Sequence, residues 1–229
     1  MHATAITHGR LFFQAYAAKR PSSLVVEIGA QDVNGSLKAL CPPGFKYIGV
    51  DFVAGKGIDV VLQDPYKLPF DDESVDFVVS SSCLEHSEMF WLMFLEMLRV
   101  LKPGGICYLN VPSNGSFHRY PVDCWRFYPD SGNALVAWAK RNNYTTILLE
   151  SFTGRQESQE WCDYVAVFLK DAAALSEFPD RILHHIRDFD NGYLHGSNNF
   201  INAQQHPEDK RKLYKLVQAV NAFIKSLTP

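Results

Sequence analysis

Paired cysteines, long apolar runs and excess positive charge are all missing from this 229-residue sequence. The five cysteines are odd in number and scattered singly, so a disulfide framework is not expected. A formal net charge of −3 argues against binding to nucleic acid. The longest apolar runs fall far short of the ~20 residues that a membrane-spanning helix needs. We therefore expect neither a nucleic-acid partner nor a membrane span.

The first 20 residues also lack the basic start, apolar stretch and small-residue cleavage site of a secretory signal. Together with the unpaired cysteines, this predicts a reduced, cytoplasmic location. The hydrophobic content of 47% is ample for a packed core.

Apolar runs alternate with helical patterns along most of the chain, which predicts an α/β fold with a mostly parallel sheet covered on both faces. The last two strands are joined by a loop alone, which predicts that one of them is antiparallel. The predicted strands are 24–28, 46–50, 58–62, 75–80, 106–111, 145–150 and 161–169, and the predicted helices are 7–18, 34–40, 88–101, 130–141 and 208–227.

The composition changes after residue 170, where the chain becomes polar and rich in His, Asn and Asp. We expect residues 1–170 to form the main domain. Residues 171–229 then form an extension, which packs on that domain or on a partner and ends in an amphipathic helix.

The first two predicted strands carry a pattern typical of nucleoside binding. The first delivers Glu27 and Gly29 at its end, and the second ends in Asp51, 22 residues after Gly29. A glycine turn after one buried strand and a carboxylate after the next, roughly 20 residues on, place an acid near ribose hydroxyls.

The turn itself argues against a dinucleotide. NAD and FAD sites need a second and a third glycine for the approach of the pyrophosphate. This chain has Gln31 at the second of these positions, and no glycine stands between Gly29 and Gly35. Asp32 would also place a negative charge beside the phosphates. S-adenosylmethionine (SAM) has a ribose and no phosphate, so it tolerates both features. Asp51 suits its ribose, and Asp64, after the third strand, suits its adenine amino group.

The ordered motifs from residue 24 to about 169 resemble those of class I SAM-dependent methyltransferases, in particular the type 11-like group. The matching pieces are Val26-Glu27-Ile28-Gly29, Gly49-Val50-Asp51, Asp64 with Leu68-Pro69-Phe70, Ser74 to Ser80, Leu84-Glu85-His86, and Leu98 to Gly105. The resemblance implies a Rossmann-like three-layer sandwich with seven strands, one of them reversed, and SAM across the carboxyl ends of the first strands.

The resemblance also implies which residues contact the cofactor. These are Glu27, Gly29, Asp51, Asp64 and the backbone near Ser81. One position departs from the family pattern, because Gln31 stands where the second glycine of the first loop is usual. We expect Gln31 itself to reach the cofactor.

The segment after the fifth strand holds most of the remaining chemistry. His118 is a candidate base with Asp123 as its orienting carboxylate. His86 is a second candidate catalytic residue, at a position that often borders the cofactor in the wider family. The candidate acceptor-binding residues, which offer hydrogen-bond donors or flat apolar faces, are Arg119, Tyr120, Trp125 and Arg126.

Each of these residues also has a purely structural interpretation. His118 can cap its loop, Arg126 can pair with Asp123, and Trp125 can pin the loop to the core. The string from His118 to Phe127 resembles a subgroup linked to polysaccharide and glycan assembly, which implies O-methylation of a sugar hydroxyl.

The predicted function is SAM-dependent methylation of a sugar or other small-molecule acceptor. A homodimer is one open possibility for the oligomeric state, which the sequence does not determine. Two alternatives stay open: a small-molecule or lipid methyltransferase, and a binding protein that keeps the fold without turnover. No metal site is expected, because the tail histidines His184, His185, His195 and His206 lack the spacing of metal ligands.

Overall fold

The computed structural model describes residues 3–18, 20–155, 161–205 and 207–227. His206, one of the tail histidines weighed above, lies outside the described residues.

The described chain forms one sheet with helices on both faces. The helices are α1 (Ala3–Phe12, followed by a π-helical turn at Phe13–Ala17), α2 (Phe90–Val100), α3 (Ser131–Arg141) and α4 (Glu208–Leu227). The strands are β1 (Leu24–Ile28), β2 (Lys46–Asp51), β3 (Val60–Val61), β4 (Val75–Ser81), β5 (Leu101–Pro112), β6 (Ile147–Gly154), β7 (Asp163–Leu169) and β8 (Phe189–Leu194). Between β1 and β2 the expected helix is a short 3₁₀ turn at Leu37–Leu40.

The strand order is β3-β2-β1-β4-β5-β7-β6-β8. The neighbours from β3 to β5 pair in parallel, whereas β7 is antiparallel to both β5 and β6, and β8 is antiparallel to β6. The predicted α/β class and mostly parallel sheet are confirmed. The predicted count of seven strands with one reversed is wrong by one strand, because residues beyond 170 add β8, which is also reversed.

Two apolar clusters, one on each face of the sheet, form the core. On one face, alternate residues such as Val26 and Val78 pack with Phe94 of α2 and Leu135 of α3. On the other face, their chain neighbours such as Val25 and Phe77 pack with α1, the π-helical turn and the turns at 172–184. This three-layer arrangement follows from the strand period of two, which sends successive side chains to opposite faces.

Glu150 of β6 ties the N-terminal and C-terminal segments to the sheet. Its carboxylate is fully buried and accepts hydrogen bonds from the Tyr16 hydroxyl at 2.5 Å and from the backbone N–H groups of Ile182 and Leu183 at 2.7 and 2.9 Å. A buried carboxylate with three donors is satisfied, so this site belongs to the scaffold.

The terminal helix α4 presents its apolar side chains to solvent. Leu216 is 62% exposed and Phe223 is 64% exposed. Although α4 has 20 residues, none of the helices in the described ranges has the length and apolar character needed to cross a membrane.

Candidate active site

The loops after β1, β2, β4 and β5 lie at one edge of the sheet, because the carboxyl ends of parallel strands meet there. The first of them turns at Gly29, whose φ of 74° is in the left-handed region. A methyl group at Gly29 would come within 2.4 Å of the Cys83 side chain. Both the turn and the close approach of the loop after β4 therefore require glycine at this position.

Glu27 lies beneath this turn and is only 3% exposed. Its Oε2 accepts a hydrogen bond from the Tyr47 hydroxyl at 2.7 Å, which links β1 to β2. Burial is the main cause that raises the pKa of Glu27 to about 7. The side chain thus supports the first loop from below and is neutral in part of the population near neutral pH.

The raised pKa of Glu27 predicts a pH-dependent effect of Glu27→Gln on the stability of the chain without ligands. The folded-state pKa of about 7 exceeds the ordinary 4.5, so wild-type stability falls as pH rises through that interval. The neutral glutamine escapes this loss. We compare the melting temperature of the variant minus that of wild type at two pH values. We expect this difference to be about 5–10 °C higher at pH 8 than at pH 4.5, which corresponds to ~3 kcal/mol in the free energy of unfolding.

Thermal unfolding followed by circular dichroism at the two pH values measures this difference. Glu88→Gln is the matched control, since Glu88 is exposed and we expect no pH-dependent difference there. If the melting temperatures of Glu27→Gln and wild type differ by the same amount at both pH values, the raised pKa of Glu27 is contradicted.

The remaining predicted cofactor residues line the same edge. Asp51 ends β2, is partly exposed, and accepts a hydrogen bond from the Val53 N–H at 3.2 Å. Asp64 is exposed and accepts from the Tyr66 N–H at 2.8 Å. Ser81 ends β4, and its buried hydroxyl oxygen has no hydrogen-bond partner among the described residues. The sheet edge therefore offers a ligand two carboxylates, each with one backbone hydrogen bond, and the hydroxyl of Ser81.

Asp32 and Gln31 connect the first loop to its neighbours. The Asp32 carboxylate lies 2.6 Å from Lys56 Nζ and accepts from the Gly35 N–H at 2.9 Å, and these contacts lower its pKa. Gln31 Oε1 accepts a hydrogen bond from the Tyr120 hydroxyl at 3.0 Å. Gln31 thus joins the first loop to residues 113–128, which we call the acceptor loop.

An ion pair fixes the shape of the acceptor loop. The Asp123 carboxylate accepts from both terminal nitrogens of Arg126, at 2.6 and 2.9 Å, and from the backbone N–H of His118 at 2.7 Å. The hydrogen bond with Arg126 is the largest cause that holds the pKa of Asp123 far below its usual range. Arg126 also donates to the Ser116 carbonyl at 2.8 Å. Both members of the pair therefore support the loop that carries His118.

The two predicted catalytic histidines meet where the acceptor loop contacts the loop after β4. The ring centroids of His86 and His118 lie 4.9 Å apart with the planes at 88°. His86 Nδ1 is 2.5 Å from the Val122 carbonyl oxygen, while His118 Nδ1 is 3.4 Å from Asp123 Oδ2. His86 is largely buried, and this burial lowers its pKa, whereas the His118 side chain is 40% exposed. Of the two, His118 is the more accessible to an acceptor.

The predicted acceptor-binding residues divide into two groups. Tyr120 and Arg119 are exposed, so their side chains are available to a ligand. Trp125 is 36% exposed, donates from its indole N–H to the Ser87 carbonyl at 2.9 Å and packs edge-on against Phe90. Arg126 is engaged by Asp123, which favours the structural interpretation of its role.

Sequence reasoning singled out neither Glu85 nor Cys83. Glu85 is 1% exposed, and its Oε1 lies 3.8 Å from His86 Nε2. Its Oε2 has no hydrogen-bond partner in the described ranges of the chain. Burial raises the pKa of Glu85 to about 8. Both residues lie in the loop from Ser81 to His86, from which the sequence favoured His86 alone as a catalytic candidate.

Comparison with known proteins shows what this part of the chain resembles. Residues 33–109 match the family model of a methyltransferase domain. An uncharacterized methyltransferase of Mycolicibacterium paratuberculosis is 35% identical over 159 residues, which cover 62% of this chain and 59% of that protein. One from Mycobacterium leprae is 31% identical over 116 residues, which cover 44% of this chain and 42% of that protein. The chain thus spans between two fifths and three fifths of the length of these two relatives.

Solved structures agree on the fold. A Burkholderia thailandensis 1,6-didemethyltoxoflavin-N1-methyltransferase with bound S-adenosylhomocysteine has a TM-score of 0.54 at 16% identity, covering 73% of this chain and 78% of its own. The chain has the class I methyltransferase fold. A Haloferax volcanii protein, solved in complex with the Trm112 methyltransferase activator, has a TM-score of 0.51 at 18% identity, covering 72% of this chain and 91% of its own.

The methyltransferase-domain match and this fold support SAM as the cofactor, and the residues at the sheet edge fit it. Asp51 is a carboxylate suited to ribose hydroxyls, and the Ser81 hydroxyl has no hydrogen-bond partner within the part of the chain that the structure describes. The Asp51 and Asp64 carboxylates add negative potential that a sulfonium tolerates and a diphosphate does not. The sheet edge therefore suits a cationic nucleoside.

Proposed function

We propose that this chain is a SAM-dependent methyltransferase that transfers a methyl group to a sugar hydroxyl in a glycan or polysaccharide precursor. The single observation that carries the proposal is the contact between the two halves of the site. The Tyr120–Gln31 hydrogen bond holds the acceptor loop against the first loop, beside Gly29 and within the sheet edge that ends at Asp51.

The roles we propose for the residues follow from this geometry. Glu27, Gly29, Gln31, Asp51, Asp64 and Ser81 hold the cofactor, which supplies a methyl group on a sulfonium. His118 accepts the proton of the acceptor hydroxyl, because an alcohol is a poor nucleophile without a base. Asp123 orients His118 through its backbone N–H and lies near its ring.

A sugar suits the acceptor loop because it has apolar ring faces and polar edges. Phe117 and Tyr120 are 75% and 55% exposed and offer flat surfaces, while Arg119 offers hydrogen-bond donors. The loop thus combines the two kinds of contact that a carbohydrate makes.

A groove beside the loop favours a second candidate, a lipid or flat aromatic acceptor. It has a volume of about 300 Å³ and is lined mainly by Phe90, Trp91, Leu135 and Trp138. Trp125 of the acceptor loop packs against Trp91 at its rim, with ring centroids 5.8 Å apart. An apolar acceptor would bury more surface here than a sugar would.

Calorimetry followed by a transfer screen tests the proposal. We expect the purified chain to bind SAM and S-adenosylhomocysteine but not NAD. With methyl-labelled SAM, we expect label in nucleotide sugars or oligosaccharides. Label only in lipids or aromatic compounds would favour the second candidate, and the absence of SAM binding would contradict both.

The cytoplasmic location, the role in polysaccharide biosynthesis and the homodimer are also proposals. Light scattering of the purified chain measures its mass in solution and tests the dimer directly.

A further inference from the structure

Glu85, His86 and His118 come together in a way that acid–base chemistry alone does not require. One potential ligand atom from each residue lies within 4.8 Å of the others. The loop after β4 carries the first two residues, and the acceptor loop, folded back onto it, brings the third. The backbone N–H groups of Cys124 and Trp125 donate to the Glu85 carbonyl at 2.8 and 3.2 Å, which fixes this approach.

We propose that Glu85, His86 and His118 form a binding site for one divalent transition-metal ion. This site goes beyond methyl transfer, and its existence does not rest on that function. It also differs from the expectation drawn from the sequence, in which no metal-binding residues were assigned.

The orientation of the histidines supports the proposal. The Val122 carbonyl oxygen lies 2.5 Å from His86 Nδ1, so Nδ1 carries the proton and Nε2, facing Glu85, keeps its lone pair. The Ser116 carbonyl and the Asp123 carboxylate lie 3.3 and 3.4 Å from His118 Nδ1. Carbonyl and carboxylate partners of this kind commonly orient metal-binding imidazoles.

The state of Glu85 supports it as well. The carboxyl group is 1% exposed, and Oε2 has no hydrogen-bond partner among the described residues. A buried polar atom without a partner is costly, and a bound cation would satisfy it. Arg126, whose positive charge acts on Glu85, is already paired by two hydrogen bonds with Asp123, so its repulsion of an ion is reduced.

The donor set selects the kind of ion. Two imidazole nitrogens and one carboxylate oxygen suit Zn²⁺ or Fe²⁺, whereas Mg²⁺ and Ca²⁺ prefer sites made of oxygen. Three protein ligands leave coordination positions open, as in catalytic metal sites. Oxygen atoms of an acceptor would be suitable ligands for such open positions. A metal-bound His118 cannot also accept a proton, so His118 would act as the base only in the metal-free chain.

Calorimetric titration of the full chain, stripped with a chelator, with ZnCl₂ alone tests the site. We expect one ion to bind per chain, and MgCl₂ to produce no saturable binding. His118→Ala should weaken zinc binding at least tenfold, and the double variant Glu85→Gln/His118→Ala should abolish it.

Two control variants locate the ion. His195→Ala removes an exposed histidine far along the chain, and Cys124→Ser removes an exposed thiol beside the site. Both should keep the wild-type zinc affinity. Because Glu85 is buried, melting curves will show whether its variants fold, and the single variant at the more exposed His118 decides the test if they do not.

Absence of a one-to-one zinc complex would overturn the metal site, and so would an undiminished affinity in His118→Ala or loss of the ion in Cys124→Ser. SAM titrations of the same preparations keep the two proposals apart. SAM binding without zinc binding removes only the metal site, whereas zinc binding without SAM binding removes only the proposed function.

Discussion

His118→Ala should lower the turnover of methyl transfer about 100-fold or more, within the range that a general base contributes. His118 is the exposed histidine of the acceptor loop, and its ring contacts are His86, Trp161 and Asp123 rather than the first loop. SAM affinity should therefore change little. Initial rates with the acceptor found by the labelled-SAM screen, and calorimetry with SAM, measure the two effects separately.

His195→Ala provides the matched control, because it makes the same change at an exposed histidine of the C-terminal segment. Its turnover should equal that of wild type. Wild-type turnover in His118→Ala would remove His118 from the reaction. A parallel loss of SAM affinity would place it at the cofactor instead.

Asp51→Ala should weaken SAM binding about 100-fold, since hydrogen bonds from ribose hydroxyls to a charged carboxylate are worth roughly 1.5–3 kcal/mol each. Asp51 ends β2 and is partly exposed. Its carboxylate accepts a hydrogen bond from the nearby Val53 N–H at 3.2 Å. Folding should survive the change for that reason. Calorimetry with SAM and a thermal melt measure both outcomes.

Asp71→Ala serves as the control for Asp51, because it removes an exposed aspartate from the turn before β4. We expect its SAM affinity to match that of wild type. A change of less than threefold in Asp51→Ala, with wild-type folding, would show that the ribose lies elsewhere.

The buried strands could be predicted closely from the sequence. Leu24–Ile28 was predicted with the bounds that the structure shows, and β7 was predicted to within two residues. Strands covered on both faces must be apolar throughout, so the local sequence carries the signal. The alternation with helices then predicted the parallel part of the sheet.

The edges of the sheet were less predictable. β3 has only two residues where five were expected, and β8 (Phe189–Leu194) was missed because it contains Asp190, Asn191 and Gly192. Residues of these types disfavour strands on propensity. Distant contacts stabilise β8 instead, including the ladder with β6 and the Arg155–Asp190 ion pair.

The cofactor edge was easier to predict than the acceptor side. Asp51 and Gly29 follow strands, so their positions depend on local pattern and on the rule that parallel strands end together. The position of Glu85 in the site depends on its contact with the acceptor loop. The residues that make this contact are nearly 40 positions apart in the sequence. No spacing rule in one sequence reports such a closure, and the pairing of Arg126 with Asp123 was one of two open interpretations.

The last strand has a further consequence for the integrity of the molecule. Without β8, the outer backbone of β6 would keep a row of unpaired N–H and C=O groups next to the apolar residues Leu148 and Phe152. Such a row is a template for pairing with other chains and for aggregation. By supplying β8, the polar segment beyond residue 170 covers the β6 edge of the sheet. A chain shortened to remove β8 would be prone to self-association.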